Sequence, residues 1–332
     1  MKILHHFRFP LIISSVALAL VYLFLGYAAF FTAFILSILE VTLSFDNAVV
    51  NAKVLQRMSD VWRKRFLTWG ILIAVVGTRF LLPIVIVSLT TFAPPLDILR
   101  LAIEDAHAYG ELLAASDVAI KAFGGMFLLM VALKYFVDDG KTIHWVATIE
   151  HRLARLGSIE SAEILLGLIA LIVTACLVTP ENVATVLMAG LVGVIVFLIM
   201  EGTINALALV SKHAALSGMS MFVYLNILDA AFSLDGVVGA FALTNNLVII
   251  AVGLGIGAYL VRSMTLYFVR RETLNTIRYI EHGAHWAIFG LAATMLVGLL
   301  VHIPETVSGF IGLFFVASAY VSSIRHIART SA

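Results

Sequence analysis

The chain of 332 residues is 62% hydrophobic and 12% charged, and its formal net charge is +1. Soluble domains are roughly 45–50% apolar and about 25% charged, so a mean hydropathy of +1.06 excludes a soluble domain and makes the lipid bilayer the expected partner. The near-neutral charge gives no sign of a nucleic-acid partner. The single cysteine, Cys176, excludes a disulfide framework or a thiolate metal cluster within one chain.

Apolar runs of about 17–25 residues mark membrane-spanning helices, because the hydrocarbon core is about 30 Å thick. The first run is interpreted as a span and not as a signal peptide. The sequence predicts an all-α polytopic membrane protein, a single transmembrane domain over residues 1–332 with about ten spans. The predicted spans are residues 9–28, 30–50, 67–90, 119–138, 161–179, 184–203, 218–241, 247–269, 283–302 and 306–324.

Basic residues predict the orientation of these spans. With the N-terminus inside, the cytoplasmic segments hold 16 of the 21 Lys and Arg residues, and the outside loops hold Arg100 alone. The positive-inside rule therefore predicts cytoplasmic N- and C-termini, and we expect a cell membrane, the inner membrane of a bacterium. The long outside loop, residues 91–118, is acidic. We expect it to be solvated and to carry a surface helix, with a weak cation-attracting vestibule as the alternative.

Two acidic segments repeat along the chain. Residues 40–47 read Glu-Val-Thr-Leu-Ser-Phe-Asp-Asn in the second span, and residues 229–236 read Asp-Ala-Ala-Phe-Ser-Leu-Asp-Gly in the seventh. Both place an acid, a serine and an acid at positions 1, 5 and 7, and each pair is offset by 189 residues. The next helix extends the match with an offset of 183 residues, pairing Gly70 with Gly253 and Arg79 with Arg262.

The two motif spans are five spans apart, so they run in opposite directions across the membrane. This arrangement predicts an inverted repeat of four-helix units, an architecture common among secondary transporters. Repeat one covers about residues 9–138 and repeat two about residues 184–302. The spans 161–179 and 306–324 are extra elements.

The motifs place ionisable groups inside the membrane, where a charge is costly and indicates a functional site. Four acids share this interior with three bases: Glu40, Asp46, Asp229, Asp235, Arg79, Arg262 and Lys134. Their carboxylates, together with amide, hydroxyl and carbonyl oxygens, are hard ligands that suit Mg²⁺, Ca²⁺ or Mn²⁺. Buried ion pairs that hold the helices together are the alternative interpretation. Arg79 and Arg262 are expected to act as counter-ions, and Lys134 to extend toward the interface.

Helix geometry divides the first motif into two faces. Residues four apart lie about 40° from each other, so Glu40 and Ser44 share a face, as do Asp229 and Ser233. Asn47 returns to that face, whereas Asp46 points about 120° away. One ion therefore reaches both acids only if the helix unwinds near the motif or if a neighbouring helix contributes.

At these residues the sequence resembles the TerC family of integral membrane proteins, in the LysE-like transporter superfamily. The resemblance covers about residues 30–300 and includes Phe241-Ala-Leu-Thr244 after the second motif. It implies export of divalent cations, Mn²⁺ foremost and Ca²⁺ next, with no permanently bound cofactor, and an association with tellurium resistance. It also implies that five residues are ion ligands, with the motif serines in support: Glu40, Asp46, Asn47, Asp229 and Asp235, supported by Ser44 and Ser233.

Two features depart from that family. Gly236 replaces the usual serine, which removes one hydroxyl ligand, and the family's lysine has no match in the apolar region near Thr294. The sequence therefore indicates a divergent branch, and the expected function is transport by alternating access, with proton exchange as an option, and not catalysis. One alternative is a non-transporting scaffold that binds cytoplasmic stress-resistance proteins. A remote alternative is an intramembrane aspartyl protease using Asp46 and Asp235.

Overall fold

The protein is described by a computed structural model that covers residues 2–56, 58–210, 214–244, 246–271 and 277–330. The side chains of some residues inside its helices, Asp46 and Asp235 among them, lie outside this description. The residues covered form helices and short connections without any β-strand. The prediction of an all-α protein is therefore confirmed.

The helices follow one another with short connections. In chain order they are α1 (Lys2–Leu43), α2 (Phe45–Gln56), α3 (Asp60–Leu72), a π-helix (Ile73–Leu81), α4 (Leu82–Thr91), α5 (Pro95–Glu104), α6 (Ala106–Ala115), α7 (Asp117–Phe136), α8 (Ala147–Leu156), α9 (Ala162–Leu177), α10 (Val183–Val210), α11 (Ala214–Leu243), α12 (Leu247–Arg271), α13 (Ile280–Val297) and α14 (Glu305–Thr330).

These helices pack as two compact units, each assembled from two separate stretches of chain. The first unit comprises Met1–Asp117 and Met221–Arg270, and the second comprises Val118–Ser220 and Arg271–Ala332. Both acidic motifs therefore belong to the first unit, although 189 residues separate them in sequence.

Six helices in the described ranges are long and apolar enough to cross a membrane. They are Phe7–Leu43, Asp117–Phe136, Val183–Thr203, Gly218–Phe241, Leu247–Val269 and Gly309–Ala328, and a bent pair of helices raises the number to seven. The chain is thus a multi-pass membrane protein. The predicted span 161–179 falls on α9, which is apolar but has only 16 residues. Ten spans and the inverted repeat stay predictions.

Helix α1 reverses direction at Gly26. This glycine has φ 85° and ψ −179°, a conformation that side-chain-bearing residues avoid. The ring of Phe7, near the start of α1, lies 6.1 Å from that of Tyr267. The ring of Phe45, which begins α2 directly after α1, lies 6.1 Å from that of Phe268, so the two ends of α1 come close to adjacent residues of α12. A straight helix would hold residues 38 positions apart about 57 Å apart. The two halves of α1 therefore fold back on each other, where the sequence predicts the boundary between spans 9–28 and 30–50.

A second bend follows α4, where the helix axis turns by 117° into α5. Phe92 adopts the left-handed conformation with φ 56°, and the following Pro94 and Pro95 cannot continue the hydrogen-bond pattern of α4. The segment predicted as a solvated outside loop, 91–118, therefore contains α5 and α6. Asp105 begins α6 by accepting a hydrogen bond from the backbone N–H of Ala108.

An apolar cluster holds the two stretches of the first unit together. Leu55 of α2, Phe66 of α3 and Leu225 of α11 are all buried in it. The ring of Phe222 lies 5.8 Å from that of Trp62 and 6.3 Å from that of Phe66. Because α11 carries the second acidic motif, this packing brings the second motif to the helices that follow the first.

Candidate functional site

The two motifs occupy nearly continuous helices. In the first motif a single turn residue, Ser44, separates α1 from α2, but its N–H still bonds to the carbonyl of Glu40, and its carbonyl accepts from Ala48. The second motif lies within α11, which continues to Leu243. The backbone therefore shows no unwinding at either motif, and neighbouring helices supply the other side of the site.

The motifs contact each other in reverse order. Asn47, at the end of the first motif, donates a 2.5 Å hydrogen bond to the carboxylate of Asp229, at the start of the second. Glu40, at the start of the first, places its Oε2 3.1 Å from where a Cβ on Gly236 would stand, at the end of the second. The first residue of each motif thus contacts the last residue of the other motif, which requires the two segments to run antiparallel.

The carboxylate of Glu40 is buried, and its Oε1 has two partners. It forms an ion pair with Arg79, also buried, and accepts a 3.0 Å hydrogen bond from the Ser44 hydroxyl. The Glu40 side chain packs against Gly257 of α12, where any larger residue would collide with it. The predicted shared face of Glu40 and Ser44 is confirmed by their hydrogen bond.

Arg79 reaches Glu40 from the π-helix Ile73–Leu81. A π-helix accommodates one extra residue per turn, and such turns occur frequently at functional sites. Arg79 also donates from Nη1 to the carbonyl of Ala74, five residues earlier, at 2.6 Å. The guanidinium is thereby held between its own helix and the first motif.

Arg262, the counterpart of Arg79 in the second copy, is held differently. It lies in the regular α-helix α12, and its guanidinium carbon stands 3.8 Å from the centre of the Phe66 ring, in a cation–π contact. Its Nη2 is 2.8 Å from the position that a Cβ on Gly70 would take, so the space beside Gly70 accommodates it. Among the described residues, no acceptor bonds to this Nη2.

A small cavity lies where these groups meet. Its volume is about 10 Å³, enough for roughly one water molecule or one ion without its hydration shell. Its walls come from α2, α11, α12, the π-helix and the turn at Ser44. The lining residues are Ser44, Asn47, Asn51, Ala74, Arg79, Asp229, Ala258, Val261, Arg262 and Thr265.

Several buried polar atoms in and around this cavity have no hydrogen-bond partner within the part of the chain that the structure describes. They are Oδ1 of Asn51, Oγ of Ser233, Nε of Arg79 and Nη2 of Arg262. Buried polar groups in folded proteins are nearly always satisfied, so unsatisfied ones require an explanation such as a bound water or ion. Asn51 and Arg262 line the cavity and are almost fully buried.

The structure thus brings together most of the predicted site residues that it describes. Ser44, Asn47, Arg79, Asp229 and Arg262 share the cavity, and Glu40 adjoins it through Arg79 and Ser44. The side chains of Asp46 and Asp235 lie outside the described residues. Among the side chains that are described, no group of three or more His, Cys, Asp or Glu residues could hold a metal ion by itself.

Two lining residues were not predicted from the sequence. Asn51 lies one turn beyond Asn47 on the same face of α2, and Thr265 lies one turn beyond Arg262 on α12. The helical spacing of Ser44, Asn47 and Asn51 could have revealed the first. Neither residue has a polar counterpart in the other copy, because the corresponding positions are Ala240 and Leu82.

Lys134, predicted as a supporting residue, lies in the second unit and bridges two acids there. Its ammonium is 3.0 Å from a carboxylate oxygen of Glu163 on α9 and 2.5 Å from one of Glu201 on α10. About half of the Lys134 side chain is exposed. Lys134 therefore forms ion pairs that join helices α7, α9 and α10 within the second unit.

A third carboxylate, Glu150 of α8, lies in the second unit and was not singled out from the sequence. It is completely buried and accepts hydrogen bonds from His282 and Trp286, each at 2.9 Å, and from Lys141 at 3.3 Å. The backbone N–H groups of Trp145 and Val146 complete the set, at 3.2 Å each. Burial opposes the charge, but the hydrogen bonds and the nearby positive charges outweigh it and hold the pKa of Glu150 well below its usual range.

The long apolar helices and the buried ionic groups between them define a helical multi-pass membrane protein. A family model described as "Protein of unknown function (DUF475)" matches residues 45–330, and the chain therefore belongs to this family. No curated protein and no solved structure matches the chain. The matched range includes Asn47 and the whole second motif and begins after Glu40.

Proposed function

We propose that the protein is a membrane transporter of divalent metal ions that exports Mn²⁺, with Ca²⁺ as a second cargo. The observation that carries this proposal is the cavity between the two acidic motifs. Oxygen-bearing side chains of Ser44, Asn47, Asn51, Asp229 and Thr265 line it, and such hard ligands suit Mn²⁺, Ca²⁺ and Mg²⁺. The resemblance of the motifs to the TerC family supports Mn²⁺ as the first candidate.

The formal charge of the motif region agrees with a divalent cargo. Four acids, at positions 40, 46, 229 and 235, stand against two arginines, which leaves a charge of −2 when all six are ionised. A site with that charge attracts a divalent cation and is neutral once the ion is bound. The low-dielectric surroundings of a membrane protein strengthen this attraction relative to water.

The reciprocal contacts of the motifs support an inverted repeat around the site. Glu40 and Asp229 hold equivalent positions in the two copies, and so do Asn47 and Gly236. The contacts of Glu40 with Gly236 and of Asn47 with Asp229 are therefore equivalent under a twofold axis that exchanges the copies. Alternating access in such transporters proceeds by moving one copy against the other around a central site. In this proposal the chain lies in a cell membrane with both termini in the cytoplasm.

Both acids that begin the motifs have protein partners in the structure. Arg79 forms an ion pair with Glu40, and Asn47 donates a hydrogen bond to Asp229. An ion that binds either carboxylate must therefore displace or share its partner. The Oδ1 of Asn51 has no hydrogen-bond partner among the described residues, so it supplies an oxygen to the ion without displacing one of them.

Flux measurements in proteoliposomes test the proposal. The purified protein is reconstituted, and uptake of Mn²⁺, Ca²⁺, Mg²⁺ and Zn²⁺ is followed with and without a proton gradient. We expect Mn²⁺ flux to fall to the level of empty liposomes in Asp229→Asn, and likewise in Asp46→Asn and Asp235→Asn, because each removes one charge that attracts the ion. Asp97→Asn, an exposed acid on α5, is the matched control and should keep full flux.

Two results would contradict the proposal. One is wild-type flux no greater than that of empty liposomes for all four metals, and the other is unchanged Mn²⁺ flux in the folded motif variants. Absence of flux together with capture of a cytoplasmic stress-resistance protein would favour the scaffold alternative. Monodisperse elution in detergent shows that each variant has folded.

A further inference from the structure

The two buried arginines occupy equivalent positions but make different contacts. Arg79 is paired with the carboxylate of Glu40, whereas Arg262 lies over the Phe66 ring with one nitrogen lacking an acceptor among the described residues. The equivalent acid of the second copy, Asp229, is bonded instead to Asn47. Among the described residues, Glu40 is therefore in an ion pair and Asp229 is not, although Arg262 lies near enough to Asp229 for their charges to attract each other.

The backbone beneath the two arginines differs in the same way. Arg79 lies in a nine-residue π-helix, whereas Arg262 lies in a regular α-helix. A π-helical turn holds one residue more than an α-helical turn. The residues that follow it are therefore rotated about the helix axis relative to their positions in a regular α-helix. Arg79 therefore lies on a segment whose backbone hydrogen bonds differ from those of the regular α-helix that carries Arg262.

The paired guanidinium stands where a cargo ion would bind. Glu40 adjoins the cavity through Ser44 and Arg79, and both of these residues line it. A monovalent cation gains no more Coulomb energy at this carboxylate than the guanidinium does, and it must also lose its hydration shell. A divalent cation gains twice as much at the same distance, and the other oxygens that line the cavity must replace the more strongly held hydration shell that it loses. A tethered monovalent group therefore discriminates by charge.

From these observations we propose that Arg79 determines the specificity of the site, because its tethered guanidinium competes for Glu40 and excludes monovalent cations. Only a divalent cation displaces it. The inference rests on the proposed function, since it assigns a role within the same site. Arg262 is not assigned this role, because it forms no ion pair with a carboxylate among the described residues.

Binding measurements on the detergent-solubilised full chain test this role. Mn²⁺ affinity is measured by equilibrium dialysis in choline chloride and again in sodium chloride of equal concentration. We expect Arg79→Gln to bind Mn²⁺ about tenfold more tightly than the wild type in choline, within the usual range of coupling between two occupants. We expect sodium to weaken Mn²⁺ binding in Arg79→Gln and to leave the wild type unchanged.

Two further variants keep the result interpretable. Arg79→Gln leaves Glu40 without its partner, and breaking a buried pair costs about 3–5 kcal/mol, which can prevent folding. Arg79→Lys keeps the charge but loses the planar fork, so we expect Mn²⁺ affinity between those of the wild type and Arg79→Gln. Arg100→Gln removes an exposed arginine of the same unit and should bind as the wild type does.

The outcomes separate the two proposals. If neither the wild type nor the folded Arg79 variants bind Mn²⁺, the proposed function fails. If the wild type binds Mn²⁺ but Arg79→Gln and Arg79→Lys bind it no more tightly and remain insensitive to sodium, transport stands and the specificity role of Arg79 is wrong. If Arg79→Gln does not fold, the affinity of Arg79→Lys and its sensitivity to sodium decide.

Discussion

Two buried carboxylates, Glu40 in the first unit and Glu150 in the second, differ in how many hydrogen bonds they receive. Glu150 receives five hydrogen bonds from side chains and backbone. Glu40 has two partners and adjoins a cavity with unpartnered polar atoms in its surroundings. The hydrogen bonding of Glu150 is typical of a cluster that stabilises the fold, and that of Glu40 is typical of a site that receives a ligand.

The physical reason for this distinction is the cost of an unsatisfied polar group. A buried donor or acceptor without a partner costs about 1–3 kcal/mol, so a protein retains one only where something else is gained. Around Glu150 every oxygen has partners, which stabilises the charged form. Around the motif cavity, Asn51 and Ser233 keep buried oxygens without partners in the described part of the chain. We therefore expect substitutions at the two places to affect different properties.

The largest expected effect on stability comes from Glu150→Gln. An amide would present an N–H₂ group to at least one of the donors now bonded to the carboxylate, and Lys141 would lose its counter-charge. Breaking a buried ion pair typically costs about 3–5 kcal/mol, so we expect a large fall in the midpoint of thermal unfolding in detergent. Glu160→Gln, an exposed acid just beyond α8, should change stability by less than about 0.5 kcal/mol. Equal midpoints for the two variants would show that the Glu150 cluster does not stabilise the second unit.

The pH dependence of unfolding sharpens the same contrast. Glu150 lies outside the candidate membrane spans, and its folded pKa is below that of an unfolded glutamate, about 4.3. Near and below that pH the unfolded state therefore binds more protons than the folded state. The contribution of Glu150 is fully present above the unfolded pKa and is lost as the pH falls toward the folded one.

We accordingly expect the unfolding midpoint of the wild type to drop between about pH 5 and pH 3, and to drop less steeply in Glu150→Gln. Glu160→Gln should follow the wild-type curve. Parallel curves for the wild type and Glu150→Gln would contradict the assignment of a charged, stabilising Glu150.

Much of the fold and part of the site followed from the sequence. Apolar runs predicted the helices because membrane helices must be apolar over their whole length. The predicted boundary between spans 9–28 and 30–50 lies close to Gly26, where the chain reverses. Spacing placed Glu40 and Ser44 on one face, and they are hydrogen-bonded. These features depend on local periodicity, which a single sequence reports directly.

The remaining features depend on contacts between distant segments. The sequence predicted that an unwound helix or another span must complete the site, but not that Asn47 would bond to Asp229 from 182 residues away. The π-helix under Arg79 has no pattern that distinguishes it from an apolar α-helix. Glu150 was part of a segment predicted to be cytoplasmic, and its partners His282 and Trp286 come from a different helix. Periodicity carries no information about such pairings.

The smallest expected effect concerns the two motif serines, which hold equivalent positions but differ in satisfaction. Ser44 donates to Glu40, so Ser44→Ala should lower the free energy of unfolding by about 1 kcal/mol. The Ser233 hydroxyl is buried without a described partner, so Ser233→Ala should leave stability unchanged or raise it by up to about 1 kcal/mol. Each serves as the control for the other, since both remove one hydroxyl from the same helical position.

If Ser233→Ala proved more destabilising than Ser44→Ala when both are measured by chemical unfolding in the absence of metal, the Ser233 hydroxyl would have a structural partner, and the difference between a satisfied and an open motif would disappear. If Ser233→Ala leaves stability unchanged but weakens Mn²⁺ binding, the Ser233 hydroxyl contributes to ion binding and not to stability.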